Sequence, residues 1–192
     1  GEPAARERGR MSLRPAHRAR RLLRSLVARR PRSGDLEWAD TWLDDAERRL
    51  FRRMPGVDQV HSIEVARAVE ANLGRLGLGP HDPDARWLLG AALLHDVGKS
   101  VAGLGTYGRV MATLSSAAGG ADMGPLWAQK RGMTRRIGLY LQYPRLGADL
   151  LAVAGSDERV VAWAAQHHEP EDSWTVPVEA GRLLVAADDG KL

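Results

Sequence analysis

Four stretches of this chain carry an apolar stripe at helical spacing that runs into a histidine or an aspartate. The i, i+4 series Val57, His61, Val65, Val69, Leu73 is apolar apart from its histidine. Leu88 and Ala92 share a helical face with His95-Asp96; Val160, Val161 and Ala164 lead to His167-His168; Leu184 leads to Asp188. Residues three and four apart on a helix lie on one face, so these ionisable groups point where the apolar residues point. Burying such a group is costly unless it is paired. Four interruptions of this kind constrain the fold strongly: the four faces pack together, and their polar groups meet.

The rest of the chain agrees with an all-α reading. Helical patterns near 36–53, 57–76, 83–97, 106–117, 134–142, 145–154, 157–168 and 177–189 alternate with Gly/Pro breaks. No segment sustains the period-2 alternation of a half-buried strand. The breaks fall at Pro55-Gly56, Gly77 to Pro83, Gly98 to Gly105, Gly119 to Pro125, Pro144 and Pro170 to Pro177. The tryptophans Trp38, Trp42, Trp87, Trp127 and Trp163 stand at helical positions and read as core. Trp174, in the loop after the paired histidines, reads either as packing or as a cover over the site. Glu37/Asp40 and Asp44/Asp45 read as surface charge.

Charge divides the chain. Residues 1–32 hold eleven of the 28 basic residues against two acids, Glu2 and Glu7, whereas residues 33–192 hold seventeen basic and twenty-two acidic residues. The high pI therefore belongs to an N-terminal arm, and the body is mildly acidic. Two domains are expected: a basic arm and linker over 1–34, with Pro31-Arg32-Ser33-Gly34 as the linker, and a helical domain over 35–192. Residues 1–15 read as disordered, and Met11 is an alternative start. Residues 16–30 are amphipathic, with Leu22, Leu23, Leu26 and Val27 opposite Arg18, Arg21, Arg24 and Arg29. Such a helix either docks on the body or makes a weak contact with a membrane surface or RNA.

The chain has no cysteine, which excludes disulfides, thiolate metal sites and cysteine nucleophiles and suits a cytoplasmic protein. No apolar run approaches the roughly 20 residues of a membrane span.

The stretch Leu93-Leu94-His95-Asp96-Val97-Gly98-Lys99-Ser100, with His61 before it and Asp188 in Ala187-Asp188 after it, resembles the signature of the HD-domain superfamily of metal-dependent phosphohydrolases. The likeness spans residues 57–189. It implies an HD-domain-like helical bundle in a bacterial cytoplasmic protein, with one divalent metal held by His61, His95, Asp96 and Asp188. Two imidazoles and two carboxylates suit Mn²⁺, Fe²⁺, Ni²⁺, Co²⁺, Mg²⁺ or Zn²⁺ without choosing among them. It implies hydrolysis of a small phosphorylated substrate, a nucleotide or similar ester, by a metal-activated water. Asp96 would both ligate and orient that water. Lys99 either neutralises charge on the phosphate or is a solvated lysine at a helix end. His167 and His168 correspond to histidines that bind a second metal or the phosphate in many members. Arg109, after Gly103-Leu104-Gly105, reads either as part of an inter-helix loop or as a substrate contact.

The chain departs from the dinuclear branches at Tyr143, which stands in Leu141-Gln142-Tyr143-Pro144 where those branches carry a further histidine. A neutral phenol is a poor ligand for a hard divalent ion, so a second metal is not favoured. Each polar residue also has a structural reading: a hydrogen-bonded core histidine at His61, a helix terminus at His95 with Gly98 just past the cap, surface histidines at His167-His168, and a helix-end residue at Asp188. Asp188 stands four residues from Leu192, so either the chain continues or packing holds its end. The alternative function is a catalytically weak or inactive HD domain serving as a regulatory or interaction module. Neither the substrate nor the oligomeric state is legible in the sequence. The Lys130, Arg131, Arg135, Arg136 cluster reads as a solvated face or a partner contact.

Overall fold

A computed structural model describes residues 30–117 and 120–192 of the chain. The amphipathic arm read over residues 16–30 lies, apart from Arg30, outside them. The described residues are helical, with no strand among them. No helix among them is long and apolar enough to cross a membrane.

The stretch read as one helix over 36–53 is two: α1 (Ser33–Trp42) and α2 (Asp45–Arg53). The break is a capping box. The Asp44 carboxylate accepts from Glu47 N–H at 2.8 Å, and the Glu47 carboxylate accepts from Asp44 N–H at 3.0 Å. Two orphan donors of a helix start are thereby satisfied, and Leu43 turns into the core. Asp44 is thus a structural cap rather than surface charge. Ser33 and Gly34, read as linker, already belong to α1.

Next come α3 (Gly56–Ala71), a short 3₁₀ turn at Leu73–Leu76, and α4 (Pro83–Leu94). Helix α4 starts on Pro83, and the Asp82 carboxylate accepts from Asp84 N–H at 2.9 Å, a side-chain N-cap. From Trp87 to Leu94 every residue of α4 is buried. A helix apolar all round must be surrounded, and α4 is the hub against which α1, α2, α3, α10 and α11 pack. The remaining elements are α5 (Lys99–Ala102), α6 (Thr106–Ala117), a 3₁₀ turn at Gly120–Met123, α7 (Gly124–Ala128), α8 (Gly132–Leu141), α9 (Tyr143–Ala154), α10 (Glu158–Gln166), a 3₁₀ turn at Glu171–Ser173 and α11 (Val178–Asp188). Five-residue α7 occupies part of a stretch read as a break; it is too short to show periodicity.

Two apolar clusters result. The large one joins α1–α4 to α9–α11; a small one joins Ala102, Leu104 and Ala112 to Ile137, Leu139 and Tyr140. Gly98 sits between α4 and α9. A Cβ there would stand 1.9 Å from the Tyr143 carbonyl oxygen and 2.6 Å from Gly147 N. Its backbone is right-handed, φ −62°, so Gly98 is a close-approach glycine and not the left-handed residue past a helix end.

Candidate metal centre

Helix ends deliver the polar groups. His61 projects from mid-α3; His95 closes α4, with Asp96 next; Lys99 opens α5; Tyr143 opens α9; His167 closes α10; Asp188 is the last residue of α11. Ligand atoms of His61, His95 and Asp96 all lie within 4.8 Å of one another, and this group can hold a metal ion. Asp188 Oδ1 is 2.8 Å from His61 Nε2 and 3.8 Å from His95 Nε2. Asp96 Oδ2 is 3.5 Å from His95 Nε2, and Asp96 Oδ1 is 3.9 Å from His167 Nε2.

The His95 ring shows how the site is preorganised. Its Nδ1 is 2.9 Å from the Ala92 carbonyl oxygen, which can only accept, so Nδ1 bears the proton. In the neutral ring Nε2 then presents a lone pair. That atom is buried and has no hydrogen-bond partner among the described residues, while two carboxylate oxygens face it at 3.5 and 3.8 Å. Acceptors converging on an acceptor repel unless a proton or a metal ion lies between them. A divalent ion therefore fits this donor set, and backbone-anchored imidazoles are the usual way of orienting metal-bound histidines.

His167 is built in the same way, with Nδ1 at 3.0 Å from the Ala164 carbonyl and its ring 5.2 Å from that of His95. Burial, then the neighbouring His168 and His95, push it well below its ordinary value of 6.5, so it is neutral at pH 7. Tyr143 lies between the paired histidines: its hydroxyl is 3.3 Å from His167 Nε2 and is hydrogen-bonded to His168 Nε2. His168 stands at the exposed rim.

Lys99 is not a solvated lysine. It is buried, its ammonium bonds Asp96 Oδ2, and it sits 4.8 Å from the centre of the Tyr143 ring. Asp96 is 1% exposed, so a fixed cation beside it offsets much of the cost of burying the carboxylate.

For two residues read both ways, the structure shows the packing role. Arg109 is buried, and its guanidinium donates to both Asp58 oxygens, at 2.6 and 2.7 Å, and to the Leu104 carbonyl. Burial works against its charge, but the Asp58 bonds outweigh that and hold it above its ordinary value. Trp174 does not cover the metal group. It packs edge-on against Trp163 at 5.4 Å, donates to the Glu169 carbonyl, and lies on Gly181.

Sequence reasoning did not single out Asp58. The available signal was an acid three residues before His61, in a stretch where α3 packs inward on both sides. Of the two adjacent aspartates at the end of α11, Asp188 meets His61 whereas Asp189 pairs with Lys191. The helix end behind them is closed by a left-handed glycine, Gly190 (φ 65°), with Lys191 N–H bonded to the Ala186 carbonyl at 2.9 Å. Asp188 therefore sits on a capped turn.

The chain matches no family model, no curated protein and no solved structure. The assignment of this centre rests on its geometry and donor chemistry.

Proposed function

We propose that this protein is a metal-dependent phosphohydrolase of the HD type, cleaving a nucleotide or another small phosphate ester. The observation that carries the reading is the convergence of His61, His95 and Asp96 from two chain segments, with the buried His95 Nε2 facing carboxylate oxygens of Asp96 and Asp188. His61, His95, Asp96 and Asp188 would hold one divalent ion. Such an ion lowers the pKa of a bound water and polarises a phosphoryl oxygen.

The chain's own residues have separable tasks. The bonds from His95 Nδ1 to Ala92 and from His167 Nδ1 to Ala164 lock both rings with Nε2 inward. Asp96 would accept a hydrogen bond from the attacking water and so aim it. Lys99, a buried cation one helical turn on, compensates charge that accumulates on phosphoryl oxygens. The Tyr143 hydroxyl, held between the imidazoles of His167 and His168, stands where the resemblance would place a further histidine ligand for a second ion. This supports a single-ion site.

The Lys99–Asp96 pair favours a second reading, a regulatory helical module without turnover, because it supplies counter-charge to Asp96 from within the chain. Activity separates the two. Purified protein is assayed against mononucleotides, nucleoside polyphosphates and sugar phosphates with each of Mn²⁺, Co²⁺, Ni²⁺, Mg²⁺, Zn²⁺ and anaerobic Fe²⁺. Phosphate release that disappears in Asp96→Ala at unchanged helicity is expected; full metal-dependent release by Asp96→Ala removes the assignment.

A further inference from the structure

The segment 97–148 differs in character from the rest of the body. It carries seven basic residues and a single acid, Asp122, whereas the remainder of 33–192 carries ten basic and twenty-one acidic residues. Its centre is a helical hairpin, α7 and α8, closely packed where Gly138 meets the backbone of Trp127 and Ala128. Residues 129–136 of this hairpin are exposed without a break. They include Lys130, Arg131, Arg135 and Arg136, none of which has an ion pair among the described residues. Elsewhere Arg48, Arg52, Arg67, Arg159 and Arg182 each pair with an acid, while Arg49, Arg53, Arg75 and Arg86 are exposed without an ion pair among the described residues but stand among the acid-rich elements.

The same segment exposes apolar side chains. Val101, Met111, Met123, Leu126 and Met133 are 36–53% exposed, five of the eight large hydrophobics so exposed among the described residues. Trp127 is half-buried beside them. Unpaired cations and exposed Leu, Met and Trp on one hairpin form a pattern with two requirements. The cations call for a polyanionic partner, and the apolar tips call for somewhere to leave water.

We propose that the α7–α8 hairpin docks this protein on an anionic lipid bilayer. Lipid phosphates meet Lys130, Arg131, Arg135 and Arg136, while Leu126 and Met133 enter the boundary between headgroups and acyl chains. Trp127 has the amphipathic ring enriched at that depth. A nucleic acid would meet the cations and could stack on Trp127 but would leave Leu126 and Met133, which have neither a stacking face nor a hydrogen bond to offer a base, in water. The acid-rich remainder is repelled by the same surface, so the hairpin is the side presented to it.

The test uses the full chain, whose lack of cysteine allows one reporter at a time. Met133→Cys and Val153→Cys are each labelled with an environment-sensitive fluorophore; Val153 is 91% exposed on α9, outside the hairpin. Phosphatidylcholine vesicles doped with phosphatidylglycerol are expected to blue-shift the label at position 133 and not at 153, and pure phosphatidylcholine to shift neither. Arg135→Glu with Arg136→Glu lowers vesicle partitioning by at least about tenfold, whereas the exposed control pair Arg75→Glu with Arg86→Glu leaves it within about twofold. Because the basic residues 1–32 are present in every variant, these differences report the hairpin itself. The proposal is overturned by an unshifted label at 133, by equal losses in both charge-reversal pairs, or by a single-stranded RNA oligonucleotide that protects the label where vesicles do not.

Discussion

The body has two halves with opposite economies. In the first, α1–α4 with α10 and α11, charged residues are mostly acidic and the hub helix α4 is sealed from Trp87 to Leu94. In the second, α5–α8, the charge is basic, the apolar cluster is small, and five large hydrophobics reach solvent. The two halves meet at the candidate centre: His61 and His95 come from the first, and Lys99 from the second. The Arg109–Asp58 pair joins them again three residues from His61. Buried apolar surface is concentrated around the imidazoles, and exposed apolar surface in the basic segment.

The comparison yields an order of effects. Asp58→Ala leaves the Arg109 guanidinium buried without its partner and is expected to cost about 3–5 kcal/mol in urea unfolding. Adding Arg109→Met to Asp58→Ala should recover most of that. A loss below about 1 kcal/mol in the single variant would mean the two halves are not joined there. Leu89→Ala, on the sealed hub, should cost about 2–5 kcal/mol, against about 0.5 kcal/mol or less for Leu126→Ala on the hairpin; equal costs would erase the distinction between the halves. Gly98→Ala drives a methyl into the Tyr143 carbonyl and should cost about 1–3 kcal/mol or more, with reduced metal retention as α9 is pushed from Lys99. A stable, metal-replete Gly98→Ala protein would show that this approach is loose.

The smallest effect lies at the start of α10. Asp157 caps that helix through Arg159 N–H at 2.8 Å, so Asp157→Ala should cost about 1 kcal/mol. The hydrogen bond from the Arg159 side chain is the main cause that holds Asp157 below its ordinary value of 3.8. A depressed folded-state value means the contribution is fully present above the unfolded value and lost as pH falls through the folded one. Unfolding curves of wild type and Asp157→Ala should therefore converge as pH falls below the ordinary value and through the lower folded one; a gap that widens in acid would contradict the capping role.

Much of this was legible in the residues. Helical periodicity located most elements, and the interrupted stripes pointed to His61, His95-Asp96, His167-His168 and Asp188 because an ionisable group on a repeating apolar face leaves a strong mark; the choice of four ligands among them came from the family resemblance. What escaped notice was local or long-range. The break at Asp44 was written as Asp-x-x-Glu, a capping signal outweighed by the continuous helical pattern around it. Gly98 appeared as a helix-ending glycine because its contact is with Tyr143, forty-five positions on. Pairing of Arg109 with Asp58 spans 51 residues, and no periodicity encodes it. Tyr143 was recognisable as a missing histidine, but its place between His167 and His168 follows only from the meeting of α9 and α10.

The central claim is that the buried lone pair of His95 and its neighbours hold a cation. It is tested most directly by the metal-to-protein ratio of purified protein, measured by elemental mass spectrometry for wild type and Asp96→Ala side by side. The account predicts close to one divalent metal in the wild type and none in a still-helical Asp96→Ala. Two metals would contradict the single-ion site, and no metal after reconstitution with each candidate ion would contradict the centre itself.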